Sequence, residues 1–282
     1  MEIFYINLDR DVDRRVRFDD HLRQLGLSAT RVQALTPADI SPEIIAENCD
    51  ASRLQHVMPE ELACTMSHRR AWQQMLDRKL EFALFLEDDV MLSTQLAGFL
   101  KRVPPVLRQY GLVHLEANRW QIGIGPQLTA IGKIGLHYAL TYNYGAGGYL
   151  LTAQTARRLL DGLAPLDNCI DDVLFNPDVA SCRVLRPVQV VPGLVANGGV
   201  LAKLTGSDHP SNIRGVRMER LARREAIRQA RAAASVWNIA PLRPVRAWWE
   251  STSAQLTTAY NVRIKRMRMV RMVLAGAKRR PG

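Results

Sequence analysis

The sequence predicts an α/β fold, a sheet of short apolar strands flanked by helices, with a basic helical region at its C-terminal end. Three observations carry this. Short β-branched and aromatic runs alternate with stretches of helical apolar spacing, the pattern of strands and helices taking turns. One run, Phe82-Ala83-Leu84-Phe85-Leu86, is apolar at every position, as a strand buried on both faces requires. After residue 213 the composition turns abruptly to arginine and alanine.

In chain order, Ile3-Phe4-Tyr5-Ile6 reads as a buried strand, and a polar turn leads into a helix from Arg14 to Leu25 that stops at Gly26. Val32-Gln33-Ala34-Leu35 is a second strand, which gives a β-α-β opening. Residues 36–60 hold Pro37, Pro42 and Pro59 and read as short helices and loops. Glu60 to Leu76 has helical spacing with Leu62, Met66, Trp72 and Met75 as core positions. After the Phe82–Leu86 strand come strands at Gly111–Leu115, Tyr149–Leu151 and Val188–Val191, with a helix from Ala153 to Leu163. Met218–Ala234 and Val262–Ala277 read as basic helices around a Pro/Trp segment. The domain division is therefore 1–213 and 214–282.

At 282 residues the chain can bury one large core, and 47% hydrophobic with 23% charged residues fits a globular protein rather than a disordered one. The opening Met1–Ile6 has no basic n-region, so no secretory leader is expected, and no apolar stretch approaches the ~20 residues of a membrane span. Cys49, Cys64, Cys169 and Cys182 are widely spaced, and are expected to be reduced thiols rather than disulfides or a zinc site. Residues 214–282 hold 17 Lys/Arg and 3 Asp/Glu, a local +14; against the chain total of +11, residues 1–213 carry −3. A basic tail on an acidic body implies an anionic partner surface, phospholipid or nucleic acid.

The chemistry concentrates at Glu87-Asp88-Asp89, where the apolar run ends. In open α/β sheets ligands bind beyond the carboxyl ends of strands. Alternation sends Glu87 and Asp89 to one side and Asp88 to the other, and an acid-x-acid pair can hold Mg²⁺ or Mn²⁺. A cation there would neutralise charge on a departing diphosphate. The triplet by itself reads equally as a solvated strand-to-turn junction.

Its surroundings decide. Leu62-Ala63-Cys64-Thr65-Met66-Ser67-His68-Arg69-Arg70-Ala71-Trp72, followed by Phe82 to Val90, resembles the Ser-His-x-x-x-Trp helix and Glu-Asp-Asp-Val strand of glycosyltransferase family 25. Ile6-Asn7-Leu8-Asp9-Arg10 with Arg14-Arg15 and Ala34, then Leu115-Glu116, Gly147-Gly148-Tyr149-Leu150-Leu151-Thr152 with Ala156, Ile170-Asp171 with Leu174-Phe175, and Pro192 are similar to that family in the same order. The resemblance covers about 1–200. It implies a GT-A-like nucleotide-sugar sheet, a UDP-sugar donor (UDP-galactose foremost) and a divalent metal, Mn²⁺ favoured over Mg²⁺. It also implies a lipid-linked glycan acceptor, as in lipopolysaccharide or lipooligosaccharide core. Asn7, Arg10 and Arg14 would then lie by the nucleotide, Asp88 would face the ribose or sugar, and Glu87 and Asp89 would serve the metal.

Other candidates keep two readings. His68 either binds a diphosphate oxygen or is structural, and Trp72 reads as core. Asp171 is the first candidate base and Glu116 the second; Asp171 serves equally as cap of a helix starting at Val173. Gly145-Ala146-Gly147-Gly148 precedes a strand, so it is no dinucleotide fingerprint; close backbone approach to donor or acceptor is expected there. Ile264, Met267, Val270 and Leu274 among arginines give an amphipathic helix on an anionic membrane, with Trp248-Trp249 at the interface, or a helix packed on the body. These expectations describe a cytoplasmic hexosyltransferase, peripheral on an inner membrane. The rivals are a transferase of glucose or xylose, and a degenerate transferase binding nucleic acid or membrane through its tail. The nucleic-acid reading leaves the triplet and the ordered motifs unexplained.

Overall fold

The computed structural model describes residues 1–48, 57–117, 121–163, 166, 168–197, 268–271 and 274–275. The chain opens with β1 (Glu2–Asn7), α1 (Val12–Gln24) and β2 (Thr30–Gln33), then α2 (Pro42–Asn48) and the long α3 (Pro59–Asp77). Pro59 opens α3 at a position where its missing N–H costs nothing. There follow β3 (Phe82–Glu87), β4 (Val90–Leu92), α4 (Leu96–Leu100), α5 (Pro104–Tyr110), β5 (Leu112–His114) and β6 (Glu116–Ala117). The second half holds β7 (Gln121–Ile131), β8 (Ile134–Ala139), β9 (Gly148–Thr152), α6 (Ala153–Arg158), α7 (Ile170–Phe175) and α8 (Ala180–Leu185). It ends with β10 (Val188–Val191), β11 (Val195–Asn197) and β12 (Arg268–Arg271).

Among the described residues the main sheet has nine strands in the order β12-β7-β8-β10-β5-β9-β3-β1-β2, and a second has three, β4-β11-β6. β1 runs parallel to both β2 and β3, β5 parallel to β10, and β9 antiparallel between β3 and β5. This is the α/β sheet that the alternating sequence predicts. The period of two in β3 makes the layers visible. Leu84 and Leu86 join Ile3, Tyr5, Leu150 and the α1 residues Phe18 and Leu22 on one face. Ala83 and Phe85 join Phe4, Tyr149 and the α3 residues Ala71, Trp72 and Met75 on the other. β3 is thus buried on both faces, and its fully apolar sequence follows from that.

The helix expected over Val262–Ala277 is corrected at its core. Residues 268–271 form a strand antiparallel to β7, and Val270 packs against the cluster of Ala117, Ile122 and Ile124. Ala275 is buried; its N–H donates to the Gly193 carbonyl at 2.6 Å and its carbonyl accepts from Ser93 Oγ at 2.6 Å. The spacing of Ile264, Met267, Val270 and Leu274 suits a helix, and pairing of residues 268–271 with the edge of β7 overrides that local pattern. Met218–Ala234 and Trp248-Trp249 lie outside the described residues. No helix among the described residues is long and apolar enough to cross a membrane.

Candidate active site

The parallel pairing of β1 with β3 aligns Ile6 with Glu87, so the two strands end side by side. Asn7 and the carboxylates at 87–89 therefore lie together at the carboxyl edge of the sheet. Asp88 turns toward β1 and α1. It accepts from Asn7 Nδ2 at 2.6 Å and pairs with the Arg14 guanidinium, which also lies 3.6 Å from Asp89 and 3.6 Å from Asp11. Asn7 is held from behind by Arg31, whose Nε donates to Asn7 Oδ1 at 2.9 Å. Arg14 thus meets the triplet itself, while Arg10 lies exposed in the turn between β1 and α1.

Burial and crowding set the charges. Burial raises Asp88, against the pull of Arg14 and the Asn7 hydrogen bond. Asp89 is pushed up to about 7, first by burial and then by the Glu87 charge, with Arg14 and Asn197 opposing. Asn197 Nδ2 donates to Asp89 Oδ2 at 3.2 Å, whereas Oδ1 is buried without a hydrogen-bond partner. A buried carboxylate oxygen with no donor, beside a second carboxylate, suits a hard cation. The pair Glu87 and Asp89 therefore fits the divalent metal that the family resemblance implies.

Glu87 continues the β3 face shared by Ala83 and Phe85, and that face is covered by α3. Cys64 and His68, four residues apart on one side of α3, meet it there. His68 Nε2 lies 3.5 Å and Cys64 Sγ 4.0 Å from Glu87 Oε1. The His68 ring is fully enclosed; its Nδ1 is 2.8 Å from the Tyr149 hydroxyl, which also accepts from Trp72 Nε1 at 2.9 Å. Trp72 is core, as its spacing implies. Ser67 is structural: its hydroxyl donates to the Ala63 carbonyl at 2.7 Å and accepts the Leu35 N–H at 2.8 Å, fixing α3 to the segment after β2.

Asp171 sits within α7, whose N-cap is Cys169, so the expected cap of a helix starting at Val173 is corrected. Apolar Ile170 already has helical geometry, which puts Asp171 inside the first turn. Its side chain is 5% exposed. Its charge acts on the Cys64 thiol together with those of Glu87 and Asp89; burial first, then these charges, raise that thiol well above its ordinary value. α7, packed against α3, thus places Asp171 near Cys64. Asp171 and Asp172 also act on the Tyr142 hydroxyl, which burial raises far above the usual phenol range.

Glu116 lies under the loop before β9. Its Oε2 accepts the Gly147 N–H at 2.8 Å, and a Cβ on Gly145 would stand 2.4 Å from the same carboxylate. Gly145 has φ +103°, a backbone that side-chain-bearing residues rarely adopt. A Cβ on Gly148 would meet Val195 at 2.7 Å. Within the chain, the glycine cluster lets Glu116 and Val195 pack closely against the backbone.

Cys64, Tyr149, Tyr142 and Asn197 were not singled out by sequence. Tyr149 carried the one usable signal, a polar tip inside an apolar strand that needs a buried partner. Asn197 had none.

Residues 1–122 match the family model described as Glycosyltransferase family 25 (LPS biosynthesis protein). Human procollagen galactosyltransferase 2 is 25% identical over 192 residues, covering 62% of this chain and 30% of its own length. A Haemophilus influenzae putative glycosyltransferase is 25% identical over 214 residues, covering 74% of this chain and 72% of its own. A glycosyltransferase 25 family member of Drosophila pseudoobscura pseudoobscura is 26% identical over 186 residues. The chain spans 29–30% of the length of the Drosophila and human relatives. A solved structure titled as a glycosyltransferase involved in the glycosylation of the major capsid of PBCV-1 covers 81% of this chain and 98% of that one, at 10% identity and a TM-score of 0.37. The first 122 residues thus match glycosyltransferase family 25, and the relatives that the chain resembles carry glycosyltransferase names.

Proposed function

We propose that this glycosyltransferase moves a hexose, galactose foremost, from a UDP-sugar to a lipid-linked glycan such as lipopolysaccharide core, on a GT-A-like nucleotide-sugar sheet. The observation that carries the reading is the junction of Asn7, Arg14 and the 87–89 carboxylates at the adjacent ends of parallel β1 and β3. Two relatives named for galactosyl or glycosyl transfer support the hexose and the glycan.

In this reading Asp88, oriented by Asn7 and Arg14, accepts hydrogen bonds from ribose or sugar hydroxyls. Arg10, exposed at the mouth, and Arg14 offer planar guanidinium groups to the diphosphate. Glu87 and Asp89 would hold a divalent metal, Mn²⁺ before Mg²⁺, and that metal supplies Lewis-acid neutralisation of the departing diphosphate. Asp171, on α7 beside α3, takes the acceptor hydroxyl proton as general base. Glu116 keeps the 145–147 backbone in shape beneath the site.

The basic residues of 214–282 supply the anionic-surface contact, with an inner-membrane, cytoplasmic-side location for the chain. The experiment is a donor-hydrolysis screen across UDP-galactose, UDP-glucose and UDP-xylose, with and without Mn²⁺. Mn²⁺-dependent turnover of UDP-galactose above the others is expected. A preference for glucose or xylose would move the donor, and no turnover of any nucleotide sugar would remove the transferase reading.

A further inference from the structure

We propose that Cys64, His68 and Glu87 form a three-ligand site for a borderline divalent cation of the zinc class, beside the donor site and sharing Glu87 with it. The three ligand atoms lie within 4.8 Å of one another. Tetrahedral zinc bonds of about 2.0–2.3 Å separate neighbouring ligand atoms by about 3.3–3.7 Å. The imidazole-to-carboxylate separation of 3.5 Å already meets that spacing, and the thiol-to-carboxylate separation of 4.0 Å needs only a small closure.

The second, independent observation is His68 itself. Its ring is fully buried, yet Nε2 has no hydrogen-bond partner and points at Glu87. A buried polar nitrogen without a partner is rare enough to need a reason. The other ring nitrogen is 2.8 Å from the Tyr149 hydroxyl. An Nδ1–H donated to that oxygen leaves the Nε2 lone pair for a metal, which is how ligating histidines are commonly held. Thiolate and imidazole favour zinc or cobalt, whereas Mn²⁺ and Mg²⁺ prefer oxygen alone. The spacing of the cysteines hid this group, because its partners come from two elements: one turn of α3 and the end of β3.

The site shares Glu87 with the proposed donor site but needs no nucleotide, so the experiment contains none. Cobalt(II), a coloured stand-in for zinc, is titrated into the full chain. Saturable tetrahedral cobalt bands with a thiolate-to-cobalt charge-transfer band are expected, and zinc should displace them. Cys64→Ser should remove the charge-transfer band. His68→Gln should weaken binding by more than the roughly 10–100-fold seen for loss of an outer partner. Because either variant could fail to fold, X-ray absorption of the zinc-loaded wild type provides a second reading, with sulfur expected among the nearest neighbours. No charge-transfer band, a band that survives Cys64→Ser, or a sulfur-free zinc environment would overturn the site. Such a failure leaves the transferase reading standing, and loss of transfer activity alone leaves this site standing.

Discussion

Replacing Asp89 by asparagine should make the protein more stable at neutral and alkaline pH while removing a proposed metal ligand. A raised carboxyl pKa means that the folded chain keeps a proton which the unfolded chain has released. For Asp89 that window runs from the ordinary 3.8 to about 7. Unfolding stability contributed by this group is present below 3.8, falls as pH rises through the window, and is fully lost above about 7. A separation of about three pKa units at about 1.4 kcal/mol each sets a ceiling of about 4 kcal/mol. Asparagine keeps an acceptor for Asn197 but gives up the Arg14 contact at 3.6 Å, so a gain of about 2–3 kcal/mol at pH 8 is expected. Urea unfolding of both proteins at pH 4, 5, 6, 7 and 8, without metal, measures it. The curves should meet near pH 4 and diverge toward pH 8. Some slope should persist in the variant, because Asp88 is raised as well. A variant that is equally or less stable at pH 8 would refute the argument that burial and Glu87 hold the Asp89 proton.

Three further outcomes follow from the same geometry. Gly145→Ala forces a Cβ to 2.4 Å from the Glu116 carboxylate at φ +103°, and should cost at least about 2 kcal/mol in urea unfolding. Gly26→Ala, at φ +65° with nothing within 4 Å, serves as the control and should cost only about 1 kcal/mol. Tyr149→Phe strips the partner from both His68 Nδ1 and Trp72 Nε1, so thermal unfolding should show a loss of about 2–4 kcal/mol. Asp171→Asn should keep donor affinity by calorimetry and lower transfer by about 10²–10⁴-fold; loss of both together would make Asp171 structural.

The strand that carries the site could be read from sequence because β3 is extreme: five apolar residues and then three acids leave few other structures. Alternation along it also anticipated that Glu87 and Asp88 would face different neighbours. The β7–β8 hairpin was not legible. Gly123, Gly125 and Pro126 interrupt the alternation, and the pairing accommodates them through register shifts between Ile124 and Thr129. β12 was misread because its place is set by the free edge of β7, more than a hundred residues away in the chain. The same holds for the site's interior. His68 and Tyr149 are 81 residues apart, and no local pattern says that one will support the other. Glycines at 145–148 signalled a close approach to the backbone, and the chain's own Glu116 makes one.

The most direct test of the donor-site account measures Mn²⁺-dependent UDP-sugar hydrolysis and transfer in wild type and Asp89→Asn, with folding of both followed by circular dichroism. The account predicts a folded variant whose metal-dependent activity is abolished. Activity retained by Asp89→Asn with added Mn²⁺ would contradict the assignment of the 87–89 carboxylates to the metal.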